Sequence, residues 1–243
     1  MFRLVLGSIA IALVTVGAVA AAQAGVVTLC PSGATVGGFG GTSSNVPGPL
    51  DGTCGANSAV QIKIPASTDY GKLQFNSTTP GYPNLTLGGL GGLSANVTFA
   101  SGGSDQPYFL LAFTDSSSSL GQANSTDQIL FIEFQPSALS GNTLAVDPNS
   151  TLFNVYDNTT NAYLQGGQSH THTLAGWLSL FPALYGESLD GIWIGEGLTG
   201  SDTGPETLTV NSLDVVPEPT SMALLSTALI GFGGIRRRRR RGG

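Results

Sequence analysis

His170 and His172 are the only imidazoles in this 243-residue chain, and they stand two apart in "SHTHTL". On a strand that spacing places both rings on one face, where they can chelate a metal ion. No third ligand adjoins them; the fold would have to bring up Asp157 or Glu187. Two surface histidines are the simpler reading, so no metal site is expected. Neither G-x-S-x-G nor H-E-x-x-H occurs, and serine is too frequent for a Ser/His/Asp set to stand out. Glycan hydrolysis needs two carboxylates facing a sugar cleft. Glu133, Glu187, Glu196 and Glu206 are available for it. Glu133 stands in the apolar run "DQILFIEFQ", where burial would raise its pKa; the alternative is an outward place on a sheet face. No catalytic residue is assigned, and the chain is not expected to be an enzyme.

"GEGLTG" places Gly195, Gly197 and Gly200 in a G-x-G-x-x-G pattern after the strand-like "GIWI". A dinucleotide site requires a helix next, its amides turned toward the pyrophosphate. Here Pro205 and another strand pattern follow, and Glu196 would face the phosphate. The segment is expected to be a hairpin loop, with no cofactor. Trp177 and Trp193 both fall in strand-like segments. Exposed, they would stack on sugar rings; buried, they would be core. Six N-x-S/T sequons begin at Asn76, Asn84, Asn96, Asn124, Asn149 and Asn158. They reflect a surface rich in Asn, Ser and Thr, suited to hydrogen bonding with polysaccharide.

The elements that must hold these residues are short and alternating. "AVQIKIP" puts Val60, Ile62 and Ile64 on one face, and "YGKLQFN" follows. "PYFLLAFTD" and "DQILFIEFQ" are apolar on both faces, as central strands are. "NTLAVDP", "TLFNVYD", "NAYLQGG", "HTLAGWLSLF", "DGIWIGE" and "TLTVNSLDV" continue the series, separated by Gly, Pro, Asn and Asp. "PALYGESLD" has room for one helical turn. The spacing predicts an all-β fold, a single antiparallel β-sandwich or jelly roll. Residues 31–58 are Gly/Ser-rich and read as a loop or arm, and "LGGLGGL" (Leu87 to Leu93) approaches low complexity.

Between Gly25 and Val216 lie 192 residues with two lysines, Lys63 and Lys72, and fourteen carboxylates, a formal charge of −12 against −6 for the whole chain. Such a domain repels nucleic acid and anionic membrane. Cys30 and Cys54 are the only cysteines. In an oxidising compartment they are expected to form a disulfide.

Both chain ends read as address rather than fold. Arg3 is the only charge before an apolar run from Leu4 to about Val19, and Ala22-Gln23-Ala24 offers small residues for cleavage before Gly25. That is the pattern of a secretory signal peptide, implying passage through the Sec translocon. Near the other end, Thr220 to Ile235 is uncharged. As a helix it would reach about 24 Å, short of a hydrocarbon core of about 30 Å. Gly231, Gly233 and Gly234 weaken the helix. Arg236, Arg237, Arg238, Arg239, Arg240 and Arg241 follow, able to snorkel to headgroups and to act as a cytoplasmic stop. The stretch would be a short transmembrane helix and a transient inner-membrane anchor.

"VPEP", then a short apolar run, then an arginine cluster resembles the PEP-CTERM sorting signal. The resemblance covers residues 217–241 alone. It implies that Pro217, Glu218 and Pro219 are the motif recognised by exosortase, a membrane-embedded protease or transpeptidase that later removes the tail. It also implies a Gram-negative, exopolysaccharide-exporting host, and it says nothing of the central domain. The expected organisation is a signal peptide at 1–24, a disulfide-bearing segment at 25–58, a β-sandwich at 59–216 and the sorting signal at 217–241. The expected role is a structural or adhesive component of the cell surface or extracellular matrix, associated with exopolysaccharide or biofilm. The alternative is a lectin-like module, and a glycan hydrolase stands behind both.

Overall fold

Val60, Ile62 and Ile64 are all buried along β4 (Ala59–Ile64), while Lys63 between them is exposed. This period of two recurs through the chain and drives the strands into two layers. The computed structural model describes residues 25–39, 42–48, 54–55, 57–65, 70–100, 106–121, 123–133, 142–166, 171–196 and 205–218. The expected signal peptide, the C-terminal apolar run and all six terminal arginines lie outside the described residues, as do Pro219 and His170. Among the described residues no helix is long and apolar enough to cross a membrane.

One sheet contains β1 (Val27–Leu29), β3 (Thr42–Val46), β4, β6 (Leu90–Ala100), β9 (Thr143–Val146) and β14 (Glu206–Pro217). Its order is β3-β4-β14-β6-β9, and β1 pairs with β14 beyond the end of β4. The other sheet contains β2 (Thr35–Phe39), β5 (Tyr70–Asn76), β7 (Tyr108–Thr114), β8 (Gln128–Glu133), β10 (Leu152–Asp157), β11 (Ala162–Tyr163), β12 (His172–Thr173) and β13 (Leu189–Glu196). Its order is β11-β10-β8-β7-β13-β5-β2, with β12 also on β10. Every pairing among these strands is antiparallel. The chain crosses repeatedly between sheets, as in a jelly roll. The protein is an all-β antiparallel sandwich.

The core lies between the inner faces. Phe113 and Phe131 have ring centroids 4.9 Å apart, and Phe131 stacks on Trp177 at 6.0 Å. Trp177 stands on a helix, not a strand, which corrects the reading of "HTLAGWLSLF". The helix α1 (Leu174–Leu180) starts where the Thr173 hydroxyl accepts the Gly176 amide at 3.0 Å. Leu174, Trp177 and Leu178 form its buried stripe at i, i+3 and i+4. The "PALYGESLD" segment does hold a short 3-10 turn, Pro182–Gly186.

Within residues 31–58, read as a loop or arm, β2 and β3 are strands: β3 joins one sheet and β2 the other. The Gly-rich "LGGLGGL" supplies a 3-10 turn (Leu87–Gly89) and the start of β6.

Cys30 and Cys54 form the expected disulfide, with Cα atoms 5.3 Å apart. Replacing both by Ser is expected to lower unfolding free energy by about 3 kcal/mol, from the entropy of the reopened loop. Denaturant titration of the two forms checks this.

Buried carboxylates order the turns at one end. Asp115 is fully buried at the exit of β7. It accepts the Leu120 amide at 2.8 Å and the Ser117 and Ser119 hydroxyls at 2.8 and 3.1 Å. Burial pushes its pKa up, but these hydrogen bonds together outweigh burial and hold it below the ordinary value. A depressed native pKa adds stability above the unfolded value and loses it as pH falls through the native one. Stability should therefore fall as pH drops below the ordinary aspartate value of about 3.9. Asp115→Ala should cost about 1–3 kcal/mol at neutral pH and flatten that drop. Urea midpoints across the range test both.

Candidate functional site

Two of the eight-stranded sheet's strands, β7 and β8, are apolar on both sides because the sheet's outer face carries a second hydrophobic cluster. Leu110, Ala112, Leu130 and Trp193 are its buried members, with Tyr108, Ile132 and Tyr156 packed against them. Register places Trp193, Leu110, Ile132 and Asn154 in one row across β13, β7, β8 and β10. Gln74 of β5 stands opposite Trp193 on the other side. A neighbouring row holds Lys72, Gly195 and Tyr108. Another runs from Leu130 through Tyr156 to Tyr163.

Glycine makes room for the rings. A Cβ on Gly191 would fall 2.6 Å from Trp193 Nε1, and one on Gly195 would fall 2.7 Å from the Tyr108 ring. The "GIWIGE" sequence thus clears two stretches of backbone over which aromatic rings lie. The Lys72 ammonium sits 4.4 Å from the centroid of the Trp193 ring, a cation–π contact. Burial lowers the pKa of Lys72. Tyr156 and Tyr163 meet edge to face at 5.0 Å. Burial raises the Tyr156 phenol, reinforced by Tyr163, Asp157 and Tyr70. Tyr163 is the open end of the face, 38% exposed.

Asn154 lies in the same row and is only 3% exposed, yet among the described residues its Oδ1 has no hydrogen-bond partner. A buried acceptor without a donor costs free energy. It is the polar counterpart of the rings around it.

The other predicted site residues fall elsewhere. Trp177 is in the core, 1% exposed, and its Nε1 donates to the Phe153 carbonyl at 3.0 Å, so it cannot stack on a sugar. Trp193 is on the outer face but 5% exposed, the centre of the cluster more than an open platform. Glu133, Glu196 and Glu206 are buried within the sandwich, and Glu133 Oε2 accepts the Phe109 amide at 3.1 Å. Glu187 binds the Ser116 hydroxyl at 2.7 Å. His172 packs edge-on against Trp177, centroids 4.7 Å apart. Asp157 is fully buried and accepts the Thr159 amide and the Thr160 amide and hydroxyl. Among the described residues no three His, Cys, Asp or Glu side chains gather as metal ligands. Gly195 and Glu196 end β13, Gly197 and Gly200 lie outside the described residues, and the next described strand, β14, is in the opposite sheet, so β13 and β14 do not pair as the expected hairpin would. The sequon at Asn76 is a local turn, its Oδ1 accepting the Thr78 amide at 2.9 Å.

At its end, β14 runs into the sorting sequence. Pro217 is its last residue, and the Glu218 amide donates to the Gly89 carbonyl at 2.8 Å. Residues 215–240 match the PEP-CTERM protein-sorting motif. The chain carries an exosortase sorting signal. The motif implies an exported protein processed by exosortase. No curated protein matches the chain. Among solved structures it is similar to CtCBM11, known from a solution study of structure, dynamics and binding. That likeness has 13% identity and a TM-score of 0.43, covering 81% of this chain and 98% of the other. It is also similar to a lectin from Bauhinia forficata in complex with GalNAc, at 10% identity and a TM-score of 0.29, covering 77% and 99%. Neither likeness is close enough to bear on a ligand.

Trp193→Ala should cost about 3–5 kcal/mol, as a large aromatic lost from a packed cluster does. Tyr163→Ala should cost under about 1 kcal/mol, because the ring is partly exposed. Thermal melts of the two variants separate cluster from rim.

Proposed function

We propose that the exported domain is a non-enzymatic adhesive component of the cell surface or extracellular polysaccharide matrix. In this reading it holds a glycan chain against the outer face of the eight-stranded sheet. The observation that carries the reading is the Asn154 Oδ1, unpartnered among the described residues, on a face where aromatic rings stand among aliphatic side chains. A sugar presents an apolar C–H face and an edge of hydroxyl donors. Tyr108, Tyr156 and Tyr163 suit the first, and Asn154 needs the second. From Trp193 to Asn154 the row spans three strand spacings, about 14 Å. A ligand laid over this row from the tyrosine rim is a chain of linked sugars. The side chains stand on paired strands, so little ordering opposes binding.

The charge balance fits the same role. At −12 the domain repels nucleic acid and anionic lipid but not a neutral glycan.

The test is titration of the purified domain with its host's own exopolysaccharide. Tyr156→Ala with Tyr163→Ala should weaken binding about tenfold, one to two stacking contacts' worth. Asn154→Leu should weaken it similarly while leaving the melting temperature unchanged or higher, because it removes an unsatisfied buried acceptor. Wild-type binding by Asn154→Leu would remove the central support. Absence of binding by the native domain would end the proposal.

A further inference from the structure

A second feature, independent of the glycan face, concerns the sorting sequence itself. Val216 stands opposite Gly92 and Pro217 opposite Leu90, so the β14–β6 register slips and Gly91 is left as a bulge. The slip suits Pro217, which has no N–H to give the ladder. Gly91 lets the two backbones approach closely there. A Cβ on it would lie 3.0 Å from the carbonyl oxygens of Pro217 and Val216 and 3.1 Å from the Glu218 nitrogen. One residue further, the Glu218 amide is held by the Gly89 carbonyl. Glu218 also lines a cavity of about 250 Å³ whose walls include Leu90, Leu174, Leu178 and Tyr185.

Two of the three residues of the sorting tripeptide are therefore gripped by the folded domain. A membrane peptidase that reads an extended backbone needs its edges free. On this chain β6 occupies one edge as far as Pro217, and Gly89 in the turn before it holds the Glu218 amide. We infer that Gly89 to Gly92 position the sorting motif, and that exosortase acts only after the end of β14 has peeled from β6. The domain thereby sets the rate at which its own tail is removed. Gly89 and Gly91 act through the motif and touch no reacting bond, so they are positioning residues.

The experiment follows tail loss from the full chain in exosortase-bearing cells by mass spectrometry over time. Inserting Gly-Ser-Gly-Ser between Val216 and Pro217 leaves β14 paired to Val216 and frees the tripeptide, with its distance to the apolar run unchanged. Releasing about two backbone contacts should speed tail loss roughly tenfold. Gly91→Val, which changes no spacing, should expel the same segment and also speed it. Melting temperatures run in parallel tell release of the motif from loss of the fold: the insertion should lower the melt by only a few degrees, the share of two contacts. Equal rates for wild type and insertion, or a slower insertion variant, would overturn the inference.

Discussion

The two-sided pairing of β14 is the constraint on which the sandwich rests. This twelve-residue strand holds β6 along one edge, and β4 then β1 along the other. Leu208, Val210, Leu213 and Val215 all turn inward and are fully buried. The sheet therefore cannot close until the last strand of the domain is in place. Such long-range pairing must overcome loop-closure entropy before it gains any contact. The Cys30–Cys54 bond helps by fixing β1 near β4, the two strands that share an edge of β14.

The opposite sheet does different work with the same chemistry. Its inner face is ordinary core: Phe109, Phe113, Phe131 and Ile192 are fully buried. Its outer face would usually be polar in an antiparallel sandwich. Instead it holds Trp193, Leu110 and Leu130 under a rim of tyrosines, and the glycines of β13 let the rings lie close to the backbone. The cluster gives the face rigidity, and the partly exposed tyrosines form its rim.

Much of the fold was legible because its signals were local. Alternation in "AVQIKIP" and the two-sided apolarity of "PYFLLAFTD" and "DQILFIEFQ" identified β4, β7 and β8, including the central place of the last two. What was missed lacked side chains to read. β6 begins Leu90-Gly91-Gly92, and β2 and β3 lie in Gly/Ser-rich sequence, so pairing with neighbours decides their structure, not propensity. The helix α1 was misread, although Thr173 before Leu174, Trp177 and Leu178 is a cap followed by a helical stripe. At the site, Trp193 was visible as a candidate. Asn154, Tyr108 and Tyr156 were not, since only register tells which residues of β7, β8 and β10 share its face.

The acidic balance also changes meaning once the carboxylates are placed. Asp115, Asp127, Asp147 and Asp157 each accept hydrogen bonds from the backbone of their own turn. They are structural acceptors, and at Asp115 and Asp157 these hydrogen bonds outweigh burial and hold the pKa below the ordinary value. Those at Asp115, Asp127 and Asp157 all cluster at the sheet end where β7 exits, β8 enters and β10 exits. The negative charge is thus partly a by-product of building tight turns from Asp, Ser and Thr where lysine and arginine are scarce. A chain with two cations in its exported part leaves Lys72 as the cation on the aromatic face, where Trp193 rather than a carboxylate receives it. The one described cation of this face is thereby engaged by a ring and not by a turn carboxylate.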